Sequence, residues 1–242
     1  MRLTRVHVEM ALAPHSRLTL EGTAASHVTR VLRLRAGAAL TLFDGRGGEY
    51  AARIEALRRD AVLVEVGEHR DVDHESPLAI TLLQGISRGE RMDWVVQKAT
   101  ELGVRRLVPV ATERSVVRLD ERQAANRSRH WRAIAIAACE QCGRNRVPEI
   151  DDPVSFNLLQ ERLLKGGLRI VLTADGNLRI GDLLPAETVA VLIGPEGGLT
   201  EVEHRQALEA GFLALRLGPR VLRTETAAVA ALAALQLELG DL

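Results

Sequence analysis

At 242 residues, with 46% hydrophobic and 26% charged side chains, the chain is long enough to bury one large core or two smaller ones. It has no run of eighteen apolar residues and no basic-then-apolar leader, which argues against a membrane-spanning or secreted protein and for a soluble, cytoplasmic one. The formal net charge of zero hides a segregation. Residues 84–150 carry 13 basic and 8 acidic groups, whereas residues 151–242 carry 8 and 13. Such a pattern suits a polyanion touching one face of a neutral protein, and it equally suits an arginine-rich genome, since 30 of the 32 basic residues are Arg.

The first 70 residues read as small and β-rich. Val6, Val8 and Met10 alternate, as do Leu40 with Leu42, Ala52 with Ile54, and Val62, Val64 and Val66, which is the period of half-buried strands. Ala24 to Leu34 reads as a short helix between them. Asp44-Gly45-Arg46-Gly47-Gly48 is expected to be a tight turn; it lacks the strand-to-helix context and the Lys-Ser/Thr pair of a phosphate loop. The polar segment Gly67 to Pro77 is the best candidate linker.

Beyond Pro77 the pattern changes. Leu78 to Leu83 is a continuous apolar run suited to a strand covered on both faces, and Ser87 with Glu90 predicts a capping box opening the next helix. In that helix Met92, Val95, Val96, Ala99 and Leu102 share a stripe, and Gly103 can end it. A strand over Arg106 to Val110 and a long arginine-rich helix ending near Gly143 follow. Further strands are predicted over Leu168–Ala174, Val189–Ile193 and Leu213–Leu217, with helices from Glu201 and over Thr226–Leu239. Strands alternating with helices imply a largely parallel α/β sheet, with ligands near the carboxyl ends of its strands.

Two segments look built for a ligand. Ile193-Gly194-Pro195-Glu196-Gly197-Gly198-Leu199-Thr200 leaves a strand and enters a helix capped by Thr200, with Glu203 closing the box. Its glycines allow backbone amides and carbonyls to approach a flat ligand closely. Gly218-Pro219-Arg220-Val221-Leu222-Arg223-Thr224-Glu225-Thr226-Ala227 is a second loop of the same kind. If their two strands are parallel neighbours, both loops clasp one ligand. No GxGxxG or GKS/T pattern favours a dinucleotide or a nucleoside triphosphate.

A third group is the arginines: Arg114 after a strand, and Arg127, Arg129, Arg132, Arg144 and Arg146 on or beyond the long helix. Their planar forks suit phosphates and bases, or else a solvated helix face. Trp94 falls on the polar side of its helix with Gln97, Lys98 and Glu101, as a subunit or RNA contact would. Cys139 and Cys142 form a CxxC late in a helix. They are assigned to packing, because two thiolates are too few for a closed zinc site, and a four-thiolate site shared across a dimer is the alternative. The histidines lack metal-ligand spacing, so no metal is expected.

These motifs resemble the bacterial 16S ribosomal RNA uracil-N3 methyltransferases, a branch of the knotted SPOUT methyltransferases. The resemblance rests on His27-Val28-Thr29-Arg30-Val31-Leu32-Arg33-Leu34, Gln97 to Gly103, Glu113-Arg114-Ser115, Glu140-Gln141 with Arg144 and Val147-Pro148, Ile193 to Gly198, and Leu217-Gly218 with Leu222 to Ala227. It implies an α/β fold with a PUA-like RNA-binding β-barrel at residues 1–72 and, at residues 73–242, a SPOUT methyltransferase domain with a deep trefoil knot. It further implies a homodimer, S-adenosyl-L-methionine as cofactor, and 16S rRNA or the assembling small ribosomal subunit as partner, with neither DNA nor membrane.

The cofactor cradle implied by the resemblance comprises Leu172, Thr173, Gly194, Glu196, Gly197, Gly198, Leu217, Gly218 and Leu222. Arg114, Glu196, Arg223 and Glu225 are the candidate catalytic residues, and Arg5, Arg30, Arg33, Arg88, Arg114, Arg127, Arg129 and Arg144 are candidates for RNA contact. The chain departs from the family pattern at Arg5-Val6-His7, where an aromatic often follows the arginine, and at Arg88, where lysine is common. Either glutamate could accept the N3 proton or orient an arginine. A SPOUT enzyme methylating a ribose 2′-hydroxyl, and a non-catalytic RNA-binding ribosome-assembly protein, are the rival readings.

Overall fold

The structure is a computed structural model that describes residues 4–115, 120–163 and 166–242. It divides into two compact units, one grouping the N-terminal segment up to Glu75 with Ile136–Val147, the other Ser76–Ala135 with Pro148–Leu242.

In the first unit, β1 (Arg5–His7), β2 (Arg17–Glu21), β3 (Ala39–Phe43), β4 (Glu49–Leu57) and β5 (Ala61–Arg70) form a sheet in the order β1-β3-β4-β5-β2. No pairing joins β1 to β2 among the described residues, so the barrel is partial. The alternating residues do face a common core: Val6, Leu40, Leu42, Ile54, Val62, Val64 and Val66 are buried together. Met10 breaks its series, lying past the end of β1 and 49% exposed. The expected short helix is Gly22–Ser26, α1, continued by a π-helical turn over His27–Val31 that drops Val28 into the core. Gly45, Gly47 and Gly48 all take positive φ between β3 and β4, as the turn requires. The linker begins later than its composition suggested, because His69 and Arg70 still pair with Tyr50 and Glu49; backbone ladder bonds do not need apolar side chains.

In the second unit, β6 (Ala79–Gly85), β7 (Arg106–Ala111), β8 (Glu149–Ile150), β10 (Leu168–Leu172), β11 (Thr188–Ile193) and β12 (Leu213–Leu215) form a sheet ordered β12-β10-β11-β6-β7-β8, with β9 (Val154–Ser155) also on β7. Every pairing in it is parallel, in line with the apolar run at β6, whose residues 80–85 are buried. Around it lie α2 (Glu90–Glu101), α3 (Glu121–Cys142), α4 (Glu201–Glu209) and α5 (Thr224–Leu239), of which α3 supplies residues to both units. The stripe Met92, Val95, Val96 and Ala99 is buried, Gly103 at φ 78° ends α2, and Gln236 of α5 donates to the Leu102 carbonyl at 2.8 Å.

The capping box predicted at Ser87 does not form. Gly89, at φ 59°, is the N-cap of α2, and the buried Ser87 hydroxyl reaches back to the Gly85 carbonyl at 3.4 Å. The box at Thr200 and Glu203 does form, with reciprocal bonds of 3.2 and 2.9 Å. Serine and glutamate at the right spacing cap a helix only if its first turn starts between them, and α2 starts at the glutamate itself. The 3₁₀ turns Phe156–Arg162 and Ile180–Asp182 carried no periodicity long enough to read. Both cysteines are free; Cys139 is buried, and burial pushes its thiol up to about 12.

Candidate active site

Because the strands are parallel, the loops after β10, β11 and β12 open at the same sheet edge. Leu213–Leu215 and Thr188–Ile193 are not direct neighbours, contrary to the simplest expectation; β10 lies between them. The consequence is a cradle of three loops, with the Leu172–Thr173 turn in the middle. Together they line a cleft of about 780 Å³, within the usual size of a small-molecule site.

The glycine loop is shaped by contacts that exclude side chains. A Cβ on Gly194 would stand 2.9 Å from the Leu199 amide nitrogen and 3.0 Å from the Gly198 carbonyl carbon, and one on Gly85 would run into the Pro195 nitrogen. Gly198 and Gly218 adopt φ of 69° and 91°, conformations that L side chains rarely take. Thr224, the first residue of α5, locks the second loop to the first by donating to the Gly194 carbonyl at 2.7 Å. The buried Gln84 donates in turn to the Thr224 hydroxyl at 2.9 Å.

The structure brings Leu172, Thr173, Gly194, Glu196, Gly197, Gly198, Leu217, Gly218, Leu222, Arg223 and Glu225 around this one cleft. Arg114 stands behind it: its guanidinium donates to the carbonyls of Gly197 at 2.9 Å and Leu199 at 3.3 Å, bracing the loop. Its neighbour Glu113 offers a backbone N–H to Glu203 at 2.8 Å.

Arg91 was not among the residues singled out from the sequence, yet it faces both candidate carboxylates, 2.7 Å from Glu196 Oε1 and, through Nε, 3.9 Å from Glu225 Oε1. Its place in the first turn after the buried strand β6 was the available signal. Gln84, Thr224 and His204 were missed as well. His204 Nε2 and Glu225 Oε2, on residues that line the cleft, are buried with no hydrogen-bond partner. Burial pushes the Glu196 carboxyl up, but the Arg88 backbone N–H at 2.9 Å, its own backbone N–H and the Arg91 guanidinium outweigh that and hold it below the usual carboxylate range.

The candidate RNA-contacting arginines divide sharply. Arg30, Arg33, Arg88, Arg114 and Arg129 are exposed and Arg127 is half-buried. Arg5 and Arg144 are spent inside the first unit. Arg5 is paired with Glu49 and Asn145, donates to the Arg144 carbonyl at 3.1 Å and lies over the Phe43 ring at 4.8 Å. The Arg144 side chain is 4% exposed and bound to Glu75, with Nε to Oε1 at 2.8 Å.

The RNA methyltransferase domain model matches residues 74–236, and the RNA methyltransferase PUA domain model matches residues 20–67. The ribosomal RNA small subunit methyltransferase E of Buchnera aphidicola (Schizaphis graminum) is 31% identical over 100% of this chain and 98% of its own. Its Bacillus subtilis counterpart is 30% identical over 97% and 94%. The chain belongs to the ribosomal RNA small subunit methyltransferase E family. Among solved structures, a Legionella pneumophila methyltransferase in complex with bound SAM superposes with a TM-score of 0.96 at 43% identity, covering 100% of both chains. The family member from Neisseria gonorrhoeae, bound to S-adenosyl methionine, gives 0.92 at 38% identity over 99% of each. The family assignment makes the three-loop cleft the place to look for the cofactor.

Proposed function

We propose that the protein transfers a methyl group from S-adenosylmethionine to N3 of a uridine in 16S ribosomal RNA of the small subunit. The observation that carries this reading is the cleft itself, in which three loops at the carboxyl ends of parallel strands meet beside a glycine loop that leaves no room for a Cβ at Gly194. The cradle fits the cofactor: Gly194, Gly198 and Gly218 put no side chain between the backbone and a flat ring, and carboxylates line the space that a sulfonium cation would share. When bound, that cofactor supplies an activated methyl, so the protein has to align the acceptor and manage its proton. Arg223, exposed at the entrance to α5, is placed to stabilise charge that spreads onto the uracil oxygens as N3 loses its proton.

In this reading residues 1–72 grip RNA and residues 73–242 carry the reaction. Arg30, Arg33, Arg88, Arg127 and Arg129 meet phosphates, while Arg5 and Arg144 act one step removed by holding the first unit together. The enzyme works as a homodimer in the cytoplasm, and Trp94, 42% exposed on the polar face of α2, supports a subunit contact. The deep trefoil knot of the superfamily belongs to the same reading. The strand order supports it, since the late strands β10 and β11 lie inside the sheet between β12 and the early β6.

The test is to incubate unmethylated small subunits with methyl-labelled S-adenosylmethionine and map the product by nuclease digestion and mass spectrometry. A methyl on uracil N3 is expected. A methyl on a ribose would place the protein with the 2′-hydroxyl enzymes, and cofactor binding without transfer would make it a non-catalytic RNA-binding protein.

A further inference from the structure

Glu196, Glu201 and Glu225 line the cleft, and the surroundings of the Glu196 and Glu225 carboxylates differ. Glu196 Oε1 accepts from the Arg88 backbone N–H at 2.9 Å and from Arg91 at 2.7 Å. A carboxylate so engaged holds its charge by giving up its basicity, and its bonds fasten the glycine loop to the start of α2. Glu225 sits in the first turn of α5, with a side chain 16% exposed, Oε1 at 3.9 Å from Arg91 and Oε2 buried with no donor at all. A buried carboxylate oxygen left without a donor is costly to keep unless a partner arrives with the substrate.

We propose that Glu225, and not Glu196, accepts the proton from the target base, and that Arg91 is the positioning residue that keeps the two carboxylates in separate roles. The inference rests on the N3-methylation reading. The step balances within the groups named. The N3–H proton passes to the Glu225 carboxylate, and the nitrogen pair forms the new N3–carbon bond. The methyl carbon–sulfur bond breaks with its electrons staying on sulfur, and the protonated Glu225 later loses its proton to water. Arg91 holds Glu225 in place without consuming it, because 3.9 Å is ion-pair range beyond a hydrogen bond. The other charged or titratable groups around the cleft are Arg216, Arg220 and Arg223 on the loop after β12, Asp175 after β10, and Glu201 and His204 at the start of α4.

The experiment is a single-turnover pH profile with unmethylated small subunits and saturating S-adenosylmethionine, run beside calorimetric binding of S-adenosylhomocysteine. Glu225→Gln, nearly isosteric, should bind the homocysteine within about threefold of wild type and transfer methyl about a hundredfold or more slowly near neutral pH, recovering as pH rises. Glu196→Gln should instead weaken cofactor binding and leave the shape of the profile unchanged. In Arg91→Gln the saturated transfer rate should fall about tenfold with the KM for small subunits near wild type, and Arg91→Lys should recover most of the rate. A merely structural Arg91 would show no such split between rate and KM and no rescue by lysine. A Glu225→Gln variant with the wild-type rate and profile overturns the proposal, as does one whose loss lies entirely in cofactor affinity. If wild type itself places no methyl on N3, the fault lies with the functional reading.

Discussion

The two units use charge in opposite ways. In the first, the buried carboxylates of Glu49 and Glu75 are each paired with an arginine, Arg5 and Arg144, in near-dry surroundings with side chains between 4% and 10% exposed, although Arg5 Nε has no partner. In the second, Arg91, Arg220, Arg223, Glu196 and Glu225 stand around an open cleft, and one glutamate oxygen has no partner. Carboxylates paired inside a core fix a shape; one left with an open oxygen beside a cleft is set for a ligand. Charge in a sequence thus says little about function until its partners are known.

The largest effect expected from this comparison follows removal of one member of the buried network. Arg144→Met should leave Glu75 charged and unpaired and destabilise the first unit by about 3–5 kcal/mol, read from urea unfolding. Adding Glu75→Leu should recover much of that loss, since two apolar side chains cost less there than one orphaned charge. A single variant as stable as wild type would mean that the pair contributes nothing and that Arg144 is free for another role.

A smaller effect is expected in the cleft, where shape rather than charge is tested. Gly194→Ala places a methyl 2.9 Å from the Leu199 nitrogen, against the backbone of Gly198 and Leu199, so the loop has to shift. Affinity for S-adenosylhomocysteine should fall by more than about tenfold, or 1.4 kcal/mol, with the unfolding midpoint less affected than in Arg144→Met. Gly197→Val meets Arg114, first its side chain at 3.1 Å from the Cβ and then its carbonyl at 3.7 Å, and should weaken binding less. Equal affinities in all three proteins would detach the glycine loop from the ligand.

Much of this architecture was legible in the residues. Strands with strict alternation, the apolar run at β6, the Gly103 stop and the Thr200–Glu203 box carry their own physical signal, and they appear in the structure within a few residues. The two glycine-proline loops were equally legible, because few sequences leave a strand that way without a ligand to accommodate. What could not be read was adjacency. Nothing local indicates that β10 lies between β11 and β12, so the middle loop of the cradle came from the family resemblance and not from periodicity. The same holds for Arg91, which meets Glu196 across 105 residues of chain, and for Arg5 and Arg144, whose partners lie 44 and 69 residues away. An arginine looks identical in sequence whether it faces solvent or a buried carboxylate.

The smallest effect separates the arginines that remain exposed from those that do not. Arg129 lies on the open face of α3, hydrogen-bonded only locally, to Asn126 three residues before it on the same helix, and Arg30 and Arg33 are exposed beside the π-helical turn. If these side chains meet phosphates, each neutralised charge releases about 0.7 of a counterion from single-stranded RNA, and log affinity falls with log salt in proportion. Arg129→Gln should therefore reduce the salt slope by about 0.7 and weaken binding to substrate and unrelated RNA alike, because phosphate contacts position without reading sequence. The saturated rate should stay close to wild type, since no described residue of α3 lines the cleft. Arg5→Gln should behave differently: its guanidinium is held by Glu49 and Asn145, so its loss should appear in unfolding and leave the salt slope of the folded fraction unchanged. The measurement is a salt titration of RNA affinity for each variant, paired with a denaturation curve. If Arg5→Gln lowers the slope as Arg129→Gln does, then the first unit opens its internal pairs to RNA, and the division drawn between the two regions fails at that residue.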